Sequence, residues 1–169
     1  MITQRTYLLL MLIVMAIVPS CTVRYSLTGG QFSGASTFSV ETFRSQTALA
    51  SPIYAQRLTE SFKDLLLSQS PLKISETDGD LQYKGFITEY KVAPVAVTGN
   101  ETASLNRLTI SIKVKYNNTL EPELSFDKSF SKFADFDASQ DLLTVEQELW
   151  TTINDQLTQE IYNASVGNW

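Results

Sequence analysis

The sequence predicts an α/β protein of the α+β two-layer sandwich type, a four-stranded mixed sheet with two helices on one face, in the order β-α-β-β-β-α. The stretch from Leu105 to Tyr116 alternates apolar and polar residues, which is typical of a strand with one buried face. Residues 52–68 and 144–164 repeat apolar side chains every three or four positions, which indicates amphipathic helices. A chain of 169 residues with 43% hydrophobic content suits one compact domain.

The first half of the domain contains one strand and one helix. Thr37 to Phe43 alternates in polarity and predicts a half-buried strand. Ser51 followed by Pro52 is a helix start signal, because serine caps free backbone N–H groups and proline is tolerated in the first turn. The helix is expected to continue to Ser68 and to end before Pro71.

The second half contains three strands and the second helix. Strands are predicted over 81–92, 105–116 and 124–136, and the weaker alternation near Phe133 favours a β-bulge there. The last helix follows Thr144-x-x-Gln147, which has the pattern of a capping box. A right-handed crossover should make the first two strands parallel, while the short later connections predict an antiparallel meander. The sheet face away from the helices would then be open.

The N-terminus has the anatomy of a signal peptide over residues 1–20. Arg5 precedes an unbroken apolar run from Tyr7 to Val18. These twelve residues would span roughly 18 Å as a helix, which is short of the ~30 Å hydrocarbon core of a bilayer. The run is therefore interpreted as an export signal and not as a retained membrane span.

The signal ends in Val18-Pro19-Ser20-Cys21, which resembles the lipobox of bacterial lipoproteins. Cleavage there would make Cys21 the first mature residue and its site of lipidation, and Thr22 after it favours the outer membrane. Residues 21–35 are rich in Gly, Ser and Thr and read as a lipidated tether, followed by a single domain over 36–169. The alternative is an ordinary cleavable signal that happens to precede a cysteine.

The composition excludes most familiar chemistry. The chain has no histidine and one cysteine, which removes common zinc sites, catalytic triads and redox pairs, so neither a metal nor a cofactor is expected. A formal charge of −5 without a basic tail argues against nucleic acid as a partner. Catalysis by carboxylates alone remains, with Asp135, Asp137 and Asp141 as the cluster, although a turn and a helix N-terminus explain these acids more simply. We therefore expect a protein that is not an enzyme.

Five cations form a candidate ligand surface. Arg107, Lys113 and Lys115 lie on the polar face of one predicted strand, and Lys84 and Lys91 lie on its neighbour. A local cationic stripe on an acidic protein can attract anions such as the phosphates of a lipid head group. The alternative is that these lysines keep the sheet soluble and discourage edge pairing.

Aromatic residues are concentrated in two predicted strands. Their number exceeds what one buried face needs, so some are expected to face a partner protein or acyl chains. They are Tyr83, Phe86, Tyr90, Phe126, Phe130, Phe133 and Phe136.

Several segments of the mature chain together resemble one known family. The segments are Tyr25 to Gly30, Thr37 to Phe43, Gly99 to Ala103 with Asn106 to Ile110, and Phe133 to Asp137. They resemble the lipopolysaccharide-assembly lipoprotein family LptE. The resemblance implies two helices packed on a four-stranded sheet, a plug within the large outer-membrane β-barrel protein LptD, assistance in assembling that barrel, and binding of lipopolysaccharide during its insertion into the outer leaflet.

The resemblance also credits such proteins with basic residues that contact lipopolysaccharide phosphates. Assigning this role to Arg107, Lys113, Lys115, Lys84 and Lys91 rests on the charge argument alone. The alternative function is a free periplasm-facing lipid or glycan carrier lipoprotein, which would require a deep apolar pocket instead of a flat face.

Overall fold

The computed structural model describes residue 32 and residues 34–95 and 104–167, so the predicted signal peptide, Cys21 and most of the tether lie outside the described residues. In chain order the elements are β1 (Thr37–Val40), β2 (Arg44–Ser45), α1 (Pro52–Gln69), β3 (Lys73–Ile74), β4 (Leu81–Val95), β5 (Leu105–Asn118), a 3-10 turn (Pro122–Leu124), β6 (Phe126–Asp137) and α2 (Leu142–Ser165).

The sheet has the order β3-β1-β4-β5-β6, and β2 pairs with β4 beyond the end of β1. Both β1 and β2 run parallel to β4, and β4, β5 and β6 form an antiparallel meander. The predicted fold class is therefore confirmed, with six strands instead of four. The predicted first strand is interrupted after Val40, where Phe43 turns into the core and packs against Gly85, and β3 adds a two-residue edge strand.

Both helices pack on the same face of the sheet. Leu58 of α1, Leu157 of α2 and Ile112 of β5 are fully buried in one shared core. The helices run parallel to each other, because Arg57 donates to Gln147 near their N-terminal ends and Gln69 bonds to Gln159 towards their C-terminal ends. Among the described residues, no helix combines the length and apolar content needed to cross a membrane.

The predicted start of the first helix is confirmed and that of the second is wrong. Ser51 caps α1 by accepting from the Tyr54 N–H at 3.1 Å. The cap of α2 is Asp141, which accepts from the Leu143 N–H at 3.0 Å, so the helix begins before Thr144. A carboxylate is favoured here because it also faces the positive end of the helix dipole.

The bulge lies in β4 and not near Phe133. The β5–β6 register runs without a shift from Leu105 opposite Asp137 to Tyr116 opposite Phe126, whereas the β4–β5 register shifts between Ile87 and Glu89. The sequence alternation weakens at Phe133 because this ring points away from the helices and is 48% exposed. Large apolar residues on the outer face hide the period-two pattern.

Asp80 fastens the start of β1 to the start of β4. Its Oδ2 accepts from the backbone N–H and hydroxyl of Ser36, at 2.9 and 3.1 Å, and from those of Thr37, at 3.0 and 2.9 Å. These bonds, led by the Ser36 N–H, lower the pKa of Asp80 to about 2. Because the pKa is lowered on folding, this clamp stabilises the fold above the ordinary value of 3.8 and loses its effect as the pH falls through about 2.

Replacing Asp80 by Asn tests the clamp. The difference in free energy of unfolding between the native protein and Asp80→Asn should be constant above about pH 5 and shrink towards pH 2, where the native carboxyl is itself protonated. Urea unfolding at a series of pH values measures it. Asp78→Asn is the control, since Asp78 lies in the same turn and asparagine tolerates its positive φ of 54°. An undiminished Asp80→Asn difference at pH 2 would contradict a role for the carboxylate charge.

Replacing Gly85 by Ala tests the packing of the Phe43 ring against Gly85. An added Cβ would lie 2.5 Å from the Phe43 ring, which is 2% exposed and packs against Phe62. We expect overpacking to destabilise the fold by about 1–3 kcal/mol, measured by chemical denaturation. The double variant with Phe43→Leu should lose less stability than the sum of the two single changes, because the smaller side chain relieves the collision. Strict additivity would show that the collision is not the cause.

Candidate ligand and partner surface on the open sheet face

The register places all five predicted cations on the sheet face that points away from the helices, which we call the open face. Lys84 is opposite Lys115, Lys113 is opposite Phe86, Arg107 is opposite Ala93, and Lys91 is opposite Thr109. Lys84 and Lys91 are seven residues apart and would lie on opposite faces of a regular strand. The bulge after Ile87 restores them to the same face.

Two of these lysines form an anion-binding arrangement that we call the lysine pair site. Lys84 and Lys115 are directly opposed on neighbouring strands, where like charges repel. A depression of about 300 Å³ lies between them and is completed by Gln82 and Asn117, whose amides bond to each other at 3.2 Å. Lys84 pairs with Glu41, whereas no ion pair reaches Lys115 within the described part of the chain. An anion with two negative charges would relieve the repulsion.

Arg107 is already compensated. Its Nε and one terminal nitrogen donate to the two carboxylate oxygens of Asp135 at 2.7 and 2.8 Å, and its guanidinium lies 3.6 Å from the centre of the Phe133 ring. The hydrogen bonds to Arg107 lower the pKa of Asp135, and the same bonds raise the pKa of Arg107. Lys113 is also paired, with Asp127 at 3.2 Å. Arg107, Lys113 and Lys84 therefore each have a carboxylate partner, whereas Lys91 and Lys115 have no ion pair among the described residues.

The predicted role as edge protection fits the location of Lys91 but not that of Lys84, Lys113 and Lys115. β5 lies between β4 and β6, and β4 is flanked by β1 and β2 only as far as Ile87, so the outer side of β4 at Lys91 has no described partner. Edge protection applies to a strand with a free side. A solubilising role for these lysines remains the alternative to ligand binding.

Sequence reasoning did not find Gln82 and Asn117, although each lies two residues from a nominated lysine in an alternating strand. Their pairing depends on the register between β4 and β5, which the sequence does not specify. Of the seven aromatic residues, Phe86 and Phe133 point to the open face. The others face the helix side, where Tyr83, Tyr90, Phe130 and Phe136 are buried and Phe126 is half-buried.

The three carboxylates of the hydrolase hypothesis have separate structural roles. Asp135 pairs with Arg107, Asp137 accepts from the backbone N–H and hydroxyl of Ser139, and Asp141 caps α2. Hydrogen bonds lower the pKa values of Asp135 and Asp137, so both are ionised at neutral pH. A general acid in such a pair would need a raised pKa. Among the described residues, no group of three or more His, Cys, Asp or Glu side chains is placed to hold a metal.

Comparison with known proteins identifies a family and a fold. A family model described as LptE, lipopolysaccharide-assembly, matches residues 35–165. No curated protein sequence matches. A minor lipoprotein from Acinetobacter baumannii has a similar structure, with a TM-score of 0.50 and 14% identity over 76% of this chain and 91% of that one.

Two further solved structures are similar. A hypothetical protein from Chlamydia trachomatis has a TM-score of 0.52 and 8% identity, covering 79% of this chain and 99% of that one. A protein from Xanthomonas campestris has a TM-score of 0.51 and 11% identity, covering 76% and 82%. At these identities the likeness shows the fold alone.

Proposed function

Because this chain belongs to the LptE family of lipopolysaccharide-assembly proteins, we propose that it is a periplasm-facing lipoprotein of the outer membrane, anchored through lipid on Cys21. In this proposal it plugs an LptD-type β-barrel, assists the assembly of that barrel, and binds lipopolysaccharide during insertion into the outer leaflet. The observation that carries the proposal is the open face, which combines the exposed ring of Phe133 with the opposed cations Lys84 and Lys115.

The open face supports contact with a barrel wall. No described element covers it, and it carries Phe133, stacked on Arg107 and 48% exposed. Aromatic and arginine side chains contribute most of the binding energy in protein interfaces. The bond to Asp135 fixes the guanidinium in place, so little side-chain entropy would be lost on binding.

The lysine pair site supports contact with lipopolysaccharide. A phosphate monoester carries nearly two negative charges near neutral pH, which matches the two opposed ammonium groups of Lys84 and Lys115. The amides of Gln82 and Asn117 border the same depression and can donate to phosphate oxygens. At Arg107, Lys113 and Lys84 a phosphate would compete with Asp135, Asp127 and Glu41, so Lys115, which has no ion pair among the described residues, would contribute most.

Lipid attachment at Cys21 would place the domain at the membrane. Each buried methylene contributes about 0.8 kcal/mol, so two or more acyl chains give a stable anchor.

The filled interior favours this function over that of a free lipid carrier. A carrier would hold an acyl chain in a deep apolar cavity. Between the helices and the sheet, side chains such as Leu58, Phe62, Ile112 and Ile153 are fully buried in the same core. An acyl chain could enter there only if the helices separated from the sheet.

Neutralising the lysine pair tests lipopolysaccharide binding. Lys84→Gln with Lys115→Gln should weaken binding about tenfold at low salt, since each exposed charge contributes up to about 1 kcal/mol, and the difference should shrink at high salt. The control is Lys63→Gln with Lys132→Gln, which removes the same charge from α1 and from the helix side of β6. Equal losses in the two variants would assign the effect to net charge instead of to this site.

Affinity purification from detergent-solubilised outer membranes tests the barrel partner. A C-terminal tag should recover one large β-barrel protein at equal stoichiometry, and the complex should survive high salt. Phe133→Glu should reduce this recovery, whereas Leu143→Glu should not, because Leu143 is 77% exposed on α2 in the opposite layer. Recovery of the lipidated protein alone, in good yield, would favour the free carrier.

A further inference from the structure

The outer edge of β6 is not paired with any described strand. On its inner side, β6 pairs with β5 over its whole length without a register shift. A regular strand of twelve residues therefore presents backbone N–H and C=O groups along its other side. Such an edge can accept an extended peptide as an additional strand.

The lysines of this edge strand lie only in its first half. Lys128 and Lys132 point to the helix side of β6, where Lys128 lies over Phe126 and Lys132 pairs with Glu160 at 3.0 Å. Lysines on an edge strand discourage pairing with another chain. From Phe133 to Asp137 the strand has no lysine and no bulge.

A groove of about 480 Å³ lies beside this second half, between β6 and α2. The first turns of α2 form hydrogen bonds with β4 and α1 instead of β6. Tyr90 of β4 donates to Glu146, and Arg57 of α1 donates to Gln147. Towards the C-terminal end of α2, the ion pair between Lys132 and Glu160 holds this helix against β6. Among its lining residues are Ala134, Phe136 and Asp137 of β6 and Val145, Glu148, Leu149 and Thr152 of α2.

We propose that this groove binds an extended segment of a partner polypeptide in which apolar and basic residues alternate, and that the segment pairs with β6 over residues 133–137. Successive residues of a strand point to opposite faces. On the helix side the apolar residues would meet Ala134 and Phe136 in the groove. On the open face a basic residue would lie beside Asp137, where opposite charges favour pairing, whereas Asp135 is already paired with Arg107. This inference goes beyond the proposed function and does not depend on lipopolysaccharide binding.

The test uses the full lipoprotein in detergent and a fluorescent ten-residue peptide that alternates Val and Lys. Binding is followed by fluorescence anisotropy, and the location is followed by amide hydrogen exchange. The peptide should slow exchange within 133–137. Two comparison peptides should bind at least about tenfold more weakly than the Val/Lys peptide. One has Glu in place of Lys, and the other has two central prolines that remove backbone donors.

A neighbouring pair of threonines supplies the matched variants. Thr152 lines the groove, whereas Thr151 is exposed on α2 outside it. Thr152→Arg should fill the groove and weaken the Val/Lys peptide about tenfold, while Thr151→Arg should leave binding unchanged. The proposal is overturned if the peptide does not bind, if both variants behave alike, if the proline peptide binds equally well, or if protection appears on another strand.

Discussion

The open face depends on the antiparallel pairing of β4 with β5. This register runs from Leu81 opposite Asn118 to Val95 opposite Leu105, with its shift between Ile87 and Glu89. The shift decides which side chains meet, because a slip of one residue reverses the face of every later side chain. On one side of the shift Lys84 faces Lys115, and on the other Lys91 joins the same face. The buried alternation of Leu108, Ile110 and Ile112 against the helices then fixes which face is which.

The two layers of the domain divide stability from binding. The apolar core, with buried polar contacts such as the bond from Tyr83 to Ser165, lies between the helices and the sheet. The open face holds ion pairs at Arg107, Lys113 and Lys84, and Lys84 also lies opposite Lys115. Opposed like charges cost stability. Their cost is tolerable because the core on the other face supplies the stability.

The sequence predicted what local periodicity can determine. The strict alternation of β5 and the cap at Ser51 identified their elements correctly, and the polar face of β5 correctly grouped Arg107, Lys113 and Lys115. Prediction from the sequence failed where contacts between distant segments determine the structure. Phe133 obscured the pattern because a ring on an outer face reads like a core residue until its contact with Arg107 is known. Gln82, Asn117 and the neutralising role of Asp135 all require a register between strands that are distant in sequence.

The two edges of the sheet are built differently, and the difference bears on where partners bind. At one edge β1 has four residues, β2 has two, β3 covers the beginning of β1, and beyond Ile87 the outer side of β4 has no described partner. Short and interrupted strands are poor templates for pairing. At the other edge β6 is long and regular, and its lysines lie only in the half where Lys132 pairs with Glu160 of α2. The half beside the groove carries Asp135 and Asp137 instead, and of these Asp135 is paired with Arg107. A segment that pairs with this half would therefore meet the exposed carboxylate of Asp137 on the open face and the groove on the helix side.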